Sequence, residues 1–411
     1  MRSFILVIFI ASFTYLNALD INEAVNKALE NNNSIKKEQY IYEEIKEKIN
    51  LSKANFKPQL NIGYIYNAND ENLGQGKDNS NANITLSYNL FNGLWDKYNL
   101  ESSKNLEQAS TYTLNAAKYD LILNTKRTYI NYLKNLKNIQ TMKNGFELLK
   151  QQYKDSQNRF TQGLLAKSDL LQVNAQMLQA KQNLARARAN SKIARLGLKN
   201  ILGGKLEENE IIKDLNKKDI LLENYSLDKL NNRSEIKALE KTIDSLKNQK
   251  SANKGDFLPK VNMDLTYTKF GDDALLKVEN NRVDEQKTAS IKLSWNLYNG
   301  SKTSLQNIIF QKKISQISED LALLKLSVKT QYEKAMEEFK VSKLNYETAK
   351  ISLEQSKENY KIVNNRFKEG LSSSTDLINA NFLFTRAKQS LENAFYDRFL
   401  AKATLDRIFE K

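Results

Sequence analysis

The chain has 411 residues, of which 63 are Lys or Arg and 48 are Asp or Glu, so its net charge is +15 at pH 7; it contains neither Cys nor His. This composition excludes a disulfide framework and a lipid-modified cysteine, and it removes the side chain that proteins use most often as a general base or metal ligand. Because no cluster of carboxylates or lysines takes its place, we expect no enzyme, no catalytic residue, no cofactor and no metal site.

The excess of basic residues has two possible explanations. A basic balance can indicate binding to nucleic acid or to an anionic membrane surface. Here lysines are interleaved with acids along predicted helices, as in residues 43–48, and no dense basic stripe with interleaved aromatics occurs. We therefore interpret the charge as a solvated helix surface, and we expect no nucleic-acid partner.

The first residues have the pattern of a secretory signal. Arg2 supplies a positive start, residues 4–13 form an apolar core, and Leu16-Asn17-Ala18 fits a cleavage site. We expect residues 1–18 to be a signal peptide and the mature chain to leave the cytoplasm; an uncleaved N-terminal anchor is the alternative. No later segment has the 18 consecutive apolar residues that a membrane-spanning helix needs.

Residues 20–53 have apolar side chains at helical spacing, and this helix is predicted to end before Pro58. Beyond Pro58, apolar and polar residues alternate over Leu60–Tyr66 and again over Ile84–Leu90, which predicts a β-hairpin at residues 59–91. Strands of about nine residues with one apolar face are long enough to cross a membrane when tilted. A soluble hairpin with one buried face would give the same alternation.

From Asn92-Gly93 to Gln162 the pattern is helical, which at ~1.5 Å per residue predicts a helix on the order of 100 Å long. After a tip near residues 163–168, helix is predicted to resume as far as about Leu202. Apolar residues step by three and four, with one irregular step near Ile139 and Met142. This spacing is typical of a coiled-coil seam, whereas an ordinary bundle would have a wider apolar stripe. Large and small residues alternate along it, as in Leu170, Val173, Met177, Ala180, Leu184 and Ala187.

The same plan then occurs a second time. Asn158-Arg159-Phe160-Thr161-Gln162-Gly163-Leu164 returns as Asn365-Arg366-Phe367-Lys368-Glu369-Gly370-Leu371, at a spacing of 207 residues. The only two prolines, Pro58 and Pro259, stand at the same helix-to-strand junction of each copy. The second copy predicts a β-hairpin at residues 260–298 and a long helical hairpin with a tip near 370–375.

These patterns divide the mature chain into three parts: a first repeat at residues 19–202, an irregular charged segment at 203–232, and a second repeat at 233–411. In each repeat a glycine relaxes the backbone where a helix ends, and a polar pair follows it. The polar residues are candidate N-caps of the next helix. They are Ser168, Asp169, Thr375 and Asp376.

One chain supplies four predicted strands, which are too few to close a membrane barrel. An open sheet edge in lipid would leave backbone groups unpaired, and small membrane barrels start at eight strands. Several chains must therefore share one barrel, continued by a tube of coiled coils. A membrane barrel behind a secretory signal indicates a Gram-negative envelope.

The duplicated order of helix, Pro, hairpin, long helix, Arg-Phe-x-x-Gly-Leu tip and Asp-Leu restart resembles the TolC-like outer-membrane efflux protein family, over essentially the whole mature chain. The resemblance implies a mainly α fold with β. It implies a homotrimer whose shared 12-stranded transmembrane β-barrel takes four strands from each chain and stands in outer-membrane lipid. Long coiled-coil helical hairpins would form a periplasmic tunnel, and residues 203–232 would join an equatorial region.

The family also implies a function, that of a passive exit duct of a tripartite efflux or type I secretion system. By this resemblance the tips dock a periplasmic adaptor (membrane fusion) protein, which couples the duct to an inner-membrane RND or ABC transporter that selects drugs, metal ions or protein as cargo. The adaptor and pump would open the duct at its tips. The implied docking residues are Arg159, Gly163, Leu164, Arg366, Gly370 and Leu371.

The resemblance implies a pore aperture as well. Asp169 and Asp376 fall where family members place aperture carboxylates, which in a trimer would form two rings of three and could bind cations; helix capping is the alternative role. Phe367 and Ser372 occupy the places of the family's gating Tyr and Arg, and Asn379 stands where a second Asp is expected. We therefore expect the aperture, which includes Phe367, to close without those particular polar links.

Two other functions fit parts of the sequence. A structural or adhesive coiled-coil protein of the envelope would explain the heptads but not the paired Pro-hairpin units. A nucleic-acid-binding coiled coil would explain only the charge and conflicts with the signal.

Overall fold

The computed structural model of the protein describes residues 18–68, 70, 78–216, 220, 227–278 and 283–411. Residues 1–17 of the predicted signal lie outside the described residues, as do parts of both predicted hairpin loops and of the irregular segment. In chain order the helices and strands are α1 (Ile21–Asn31), α2 (Asn33–Ala54), β1 (Gln59–Ala68), β2 (Asp78–Asn92), α3 (Trp95–Thr161), α4 (Lys167–Ile201), α5 (Ser234–Asn253), β3 (Lys260–Gly271), β4 (Glu285–Ser294), α6 (Lys302–Lys368) and α7 (Ser374–Ile408). Short 3-10 helices occupy Leu227–Asn232 and Lys254–Phe257.

The duplication is visible in the lengths of the elements. Helices α3 and α6 each contain 67 residues, and α4 and α7 each contain 35. In both halves a helix, two strands, a long helix and a shorter helix follow in the same order. The predicted fold class, mainly α with β and internally duplicated, is confirmed.

The first predicted helix is divided in two. Asp20 caps α1, and Glu23 completes a capping box by accepting from the Asp20 backbone N–H. The helix ends at Asn31. Its C-cap, Asn32, has an extended backbone, and the Asn32 side-chain amide donates to the Ile201 carbonyl at 2.9 Å. This contact with the end of α4 explains a break that helical spacing alone does not show.

The four strands form one antiparallel sheet in the order β1-β2-β3-β4. In the middle of the sheet, residues that face each other share their polarity. One row is Leu60, Leu86, Leu265 and Ala289, and the next row is Asn61, Thr85, Thr266 and Thr288. Because side chains alternate between the faces of a sheet, one face is apolar and the other is polar in this part of the sheet. Nearer the hairpin loops, the apolar face also carries Lys269, Glu285 and Lys287. Within the chain, β1 and β4 are edge strands.

The second hairpin is shorter than predicted. β4 ends at Ser294, which pairs with Lys260, the first residue of β3. Since Pro259 precedes Lys260 and cannot donate a ladder hydrogen bond, β4 has no partner beyond this point. Trp295 and Leu297, which we expected to continue the strand, lie outside it, and the Trp295 indole donates to the Phe257 carbonyl at 3.1 Å.

The chain groups into two compact units, and each unit takes segments from both repeats. The helical unit comprises Met1–Lys36, Ala117–Leu230 and Val328–Lys411, and the sheet unit comprises Lys37–Ala116 and Asn231–Ser327. The core of the helical unit includes Tyr129 and Tyr396, both fully buried. Among the described residues, no helix combines the length and the hydropathy that a transmembrane helix needs.

Candidate functional site

The two tips are chain reversals in the helical unit with the same backbone geometry. At the first tip (residues 159–166) the N–H of Gly163 donates to the Phe160 carbonyl at 3.0 Å, and that of Leu164 donates to the Arg159 carbonyl at 2.9 Å. This pair of bonds is a Schellman motif, which needs a left-handed residue after the helix. Gly163 has a φ of +73°, so a glycine is the residue that adopts it without strain.

The second tip (residues 366–373) repeats this motif. Gly370 has a φ of +79°, and the N–H groups of Gly370 and Leu371 donate to the carbonyls of Phe367 and Arg366 at 3.1 and 2.8 Å. Leu164 and Leu371, the residues that follow the glycines, have exposed fractions of 70% and 64%. Each tip therefore presents a leucine side chain to its surroundings at the same position of the turn.

The helices that follow the tips begin differently, and our predicted N-caps were wrong. The N-cap of α4 is Ala166, which has no side chain able to cap, and Ser168 and Asp169 lie within the first turn. The N-cap of α7 is Ser373, and Asp376 completes a capping box with it. The prediction failed because each N-cap lies two or three residues before the Ser/Thr-Asp pair on which the sequence argument relied.

Asp376 is held in its ionised form by its neighbours. Its carboxylate accepts from the Ser373 hydroxyl at 2.7 Å, from the Ser373 backbone N–H at 3.1 Å and from the Ser372 hydroxyl at 3.2 Å. These bonds, that of the Ser373 hydroxyl first, lower the pKa of Asp376 below its ordinary value. The first turn of α7 therefore stays capped at neutral pH, and loses the carboxylate's contribution only as the pH falls through that lowered pKa.

A contact centred on Arg159 joins the two tips. The Arg159 guanidinium of the first tip donates to the Lys368 carbonyl at the end of α6, and it stacks over the Phe367 ring at 5.0 Å from the centroid. Phe367 is only 5% exposed within the chain. Arg366 makes no equivalent crossing, since its guanidinium donates to the Leu371 carbonyl of its own tip at 3.4 Å. Within one chain Phe367 is thus a packing residue covered by Arg159.

The sequence analysis missed a network that holds residues 205–216, which we call the belt segment. Leu19 pairs with this segment through two backbone bonds, Leu19 N–H to Ile211 carbonyl at 2.8 Å and Lys213 N–H to Leu19 carbonyl at 2.9 Å. The Tyr129 hydroxyl lies between the carbonyls of Leu19 and Lys213, at 2.9 and 2.6 Å. Burial raises the pKa of Tyr129, so its hydroxyl remains a donor.

Asp214 ties the belt segment to the helices. Its carboxylate accepts from the Tyr396 hydroxyl at 2.6 Å and from the Lys137 ammonium at 2.7 Å. Partial burial disfavours the charged form, but the bonds from Lys137 and Tyr396 outweigh it and lower the pKa of Asp214. The signal available in the sequence is a tyrosine inside a helical seam, since a buried phenol needs a hydrogen-bond partner.

The comparisons with known proteins identify the family. Residues 24–204 and 227–409 match the outer membrane efflux protein family, so the chain belongs to that family. No curated protein matches the sequence. Members of the family are transport conduits rather than enzymes. The predicted family, the role as an outer-membrane duct and the Gram-negative outer-membrane location are therefore confirmed.

Solved channels share the fold at low sequence identity. CusC is 15% identical, with a TM-score of 0.85 over 95% of this chain and 92% of its own. The Campylobacter jejuni CmeC outer membrane channel is 18% identical, with a TM-score of 0.84 over 95% of this chain and 85% of its own. The open state of the Neisseria gonorrhoeae MtrE outer membrane channel is 17% identical, with a TM-score of 0.79 over 95% and 88%.

Removing the Tyr396 hydroxyl tests the belt network. In Tyr396→Phe, Asp214 loses one of the bonds that keep it ionised, so we expect the local free energy of opening to fall by about 1 kcal/mol, after allowance for the partial exposure of the carboxylate. Hydrogen exchange at pH 7 should be roughly fivefold faster at the Lys213 amide. Tyr360→Phe is the control, because the Tyr360 ring stacks on Phe384. Equal exchange in both variants would contradict the assignment.

The unequal caps give a reciprocal test. Ser373→Ala should speed hydrogen exchange in the first turn of α7 by roughly fivefold, since loss of an N-cap costs about 1 kcal/mol. Ala166→Ser should slow exchange in the first turn of α4, because a serine there has Asp169 at the N3 position and can rebuild the capping box. Both effects are measured by mass spectrometry on peptides that span the two tips. A Ser373→Ala protein with unchanged exchange would refute the capping role.

Proposed function

We propose that this protein is the homotrimeric exit duct of a tripartite efflux or type I secretion system, a passive conduit whose helical tips are opened by a periplasmic adaptor and an inner-membrane RND or ABC transporter. The single observation that carries the proposal is the sheet of four strands with two open edges. The outer-membrane location supplies the physical reason, because lipid cannot satisfy the backbone groups of an open edge.

The edges argue for a closed assembly of several chains. β1 and β4 each use one side for pairing within the chain, and their outward backbone groups need a partner from another copy. Because the number of strands is even, β4 of one chain meets β1 of the next in antiparallel order. Three chains of four strands give a barrel of twelve, within the range of outer-membrane barrels.

The apolar face of the sheet has the aromatic residues of a lipid-facing surface. Tyr64, Tyr66 and Tyr267 share that face near the hairpin loops. Phe257 and Trp295 flank the opposite end of the strands, and their exposed fractions are 50% and 57%. Aromatic girdles at both interfaces are typical of outer-membrane barrels, since these rings favour the boundary between hydrocarbon and water. Ile62 and Ile291, between these groups, are 77% and 70% exposed within the chain.

The tips are the part that an adaptor would engage and open. Arg159, Gly163 and Leu164 with Arg366, Gly370 and Leu371 form two matched turns. Asp169 lies half-buried in the first turn of α4, and Asp376 is exposed at the start of α7. In a trimer these carboxylates make two rings of negative charge, which would favour cations at the aperture.

The contact between the tips supplies a closing interaction that does not use the family's gating Tyr and Arg. Arg159 fixes the end of α6 through the Lys368 carbonyl and covers Phe367. Opening the tip separates the first tip from the second, and it must therefore break this contact. Each chain contributes about 1 kcal/mol, the sum of a partly exposed charged hydrogen bond and a cation–π contact.

Cysteine pairs test the shared barrel. The chain contains no Cys, so introduced pairs are the only thiols. Cysteines at Asn61 of β1 and at Gln286, Thr288 or Ser290 of β4 face the polar side of the sheet, and oxidation of at least one of these pairs should give covalent dimers and trimers.

The control pair is Thr85→Cys with Thr266→Cys, whose hydroxyls lie 3.2 Å apart on neighbouring strands within the chain. This control pair should form a disulfide within one chain, so oxidation should give no covalent dimer or trimer. Light scattering of detergent-extracted protein should give about three chains per particle. A monomer in both experiments would refute the trimer and favour a structural coiled-coil protein.

Variants of the arginines test the closing contact. In planar lipid bilayers, Arg159→Ala should raise the mean single-channel conductance severalfold, because each chain loses the bond to α6 and the stacking on Phe367. Arg366→Ala is the matched control from the other repeat, and we expect little change. Arg159→Lys, which keeps the charge but not the planar fork, should fall between them. Arg159→Ala with the wild-type conductance, or a larger effect of Arg366→Ala, would overturn the assignment.

A further inference from the structure

A cavity of about 100 Å³ lies between α3, α4 and α7 of the helical unit, and it is open to solvent at Gln176, Gln179 and Phe382, which are exposed. Each of these helices contributes four of its lining residues. The cavity therefore lies where the helix that ends at the first tip, the helix that leaves it and the helix that leaves the second tip come together. It is separate from the tip contacts and from the belt network.

The walls of this cavity have two kinds of chemistry. Met142, Phe146 and Ile378 supply an apolar surface. Asn381, only 3% exposed, and Thr385 supply a polar one, and the Thr385 hydroxyl donates to the Asn381 side-chain carbonyl at 3.4 Å. No lining residue is charged. A charged ligand would therefore lose hydration without gaining an ionic partner. A neutral molecule with one polar group can place its apolar part against the apolar wall and its polar group against Asn381 and Thr385.

Gly145 makes room for the cavity. It lies within α3, and a Cβ placed on it would meet the Thr385 side chain at 3.5 Å, an ordinary contact distance. The backbone therefore does not require a glycine there, although glycine weakens a helix relative to alanine. The glycine also follows directly on the irregular step of the coiled-coil seam at Ile139 and Met142. Both features open space between helices that elsewhere pack by alternating large and small side chains.

We propose that this cavity binds a small neutral amphipathic molecule, a single aromatic ring that bears one hydroxyl group. The ring lies against Met142 and Phe146, and the hydroxyl exchanges hydrogen bonds with Asn381 and Thr385. An engineered apolar cavity of about 150 Å³ encloses benzene. This cavity is smaller, at about 100 Å³, and open to solvent, so a single ring lies in it with one edge exposed. An occupant contacts all three helices at once and so links the two tips independently of Arg159.

Binding of 4-fluorophenol to the full-length protein in lipid nanodiscs tests the proposal, with fluorine NMR of the ligand as the readout. We expect saturable line broadening with the wild type. Gly145→Leu fills the cavity and should weaken binding at least tenfold. Gly197→Leu is the matched control: Gly197 is an exposed helical glycine in α4, and a Cβ there would meet only Thr128, at 3.8 Å. This variant should bind like the wild type.

A second variant separates the polar contribution to binding from the apolar one. It also provides a test of the site if Gly145→Leu does not fold. Asn381→Leu keeps the side-chain size, so it should weaken binding of 4-fluorophenol severalfold and leave fluorobenzene unaffected. Unsaturable binding to the wild type, or equal binding to the wild type and Gly145→Leu, would overturn the site. The readout is independent of export and of oligomeric state, so its failure is distinguishable from a failure of the proposed function.

Discussion

The constraint on which the rest of this structure depends is the need to pair the backbone of a sheet edge in lipid. In the outer membrane, strands β1 and β4 cannot leave their outward N–H and C=O groups unpaired, since each unpaired group costs several kcal/mol in lipid. Four strands cannot meet that demand within one chain. The proposed trimer follows from this constraint, and so does the arrangement of the apolar residues in rows across all four strands.

Duplication supplies the second level of organisation, and the two copies have diverged where the helices turn. Both tips keep the glycine turn, with φ values of +73° and +79°. Only the second has a side-chain cap, Ser373, because Ala166 stands in the matching place. Only Arg159 crosses to the other tip. The repeated backbone is thus the shared part, and the side chains around it make the two tips chemically different.

Much of the fold could be predicted from local patterns, because alternation over Leu60–Tyr66 and three-four spacing along the helices report directly on which face is buried. The end of β4 could not, since it depends on where its partner strand begins after Pro259. The Tyr129 and Tyr396 bonds join residues 110 and 182 positions apart, and no local pattern encodes such pairs. Phe367 matches an aperture residue by resemblance, and its role in the aperture stays a prediction.

The helical unit is held unequally along its length. Around the belt segment the fully buried Tyr129 and Tyr396 have partners for their hydroxyls, and Asp214 is bonded from two sides. Buried side-chain polar atoms without a protein partner occur at Gln152 and Ser156, toward the tips, and also at Thr125 and Arg398, nearer the belt segment. Such an atom costs about 1–3 kcal/mol unless water reaches it. What distinguishes the belt segment is therefore its long-range hydrogen bonds from buried tyrosines, which join Leu19, residues 205–216 and the helices to one another.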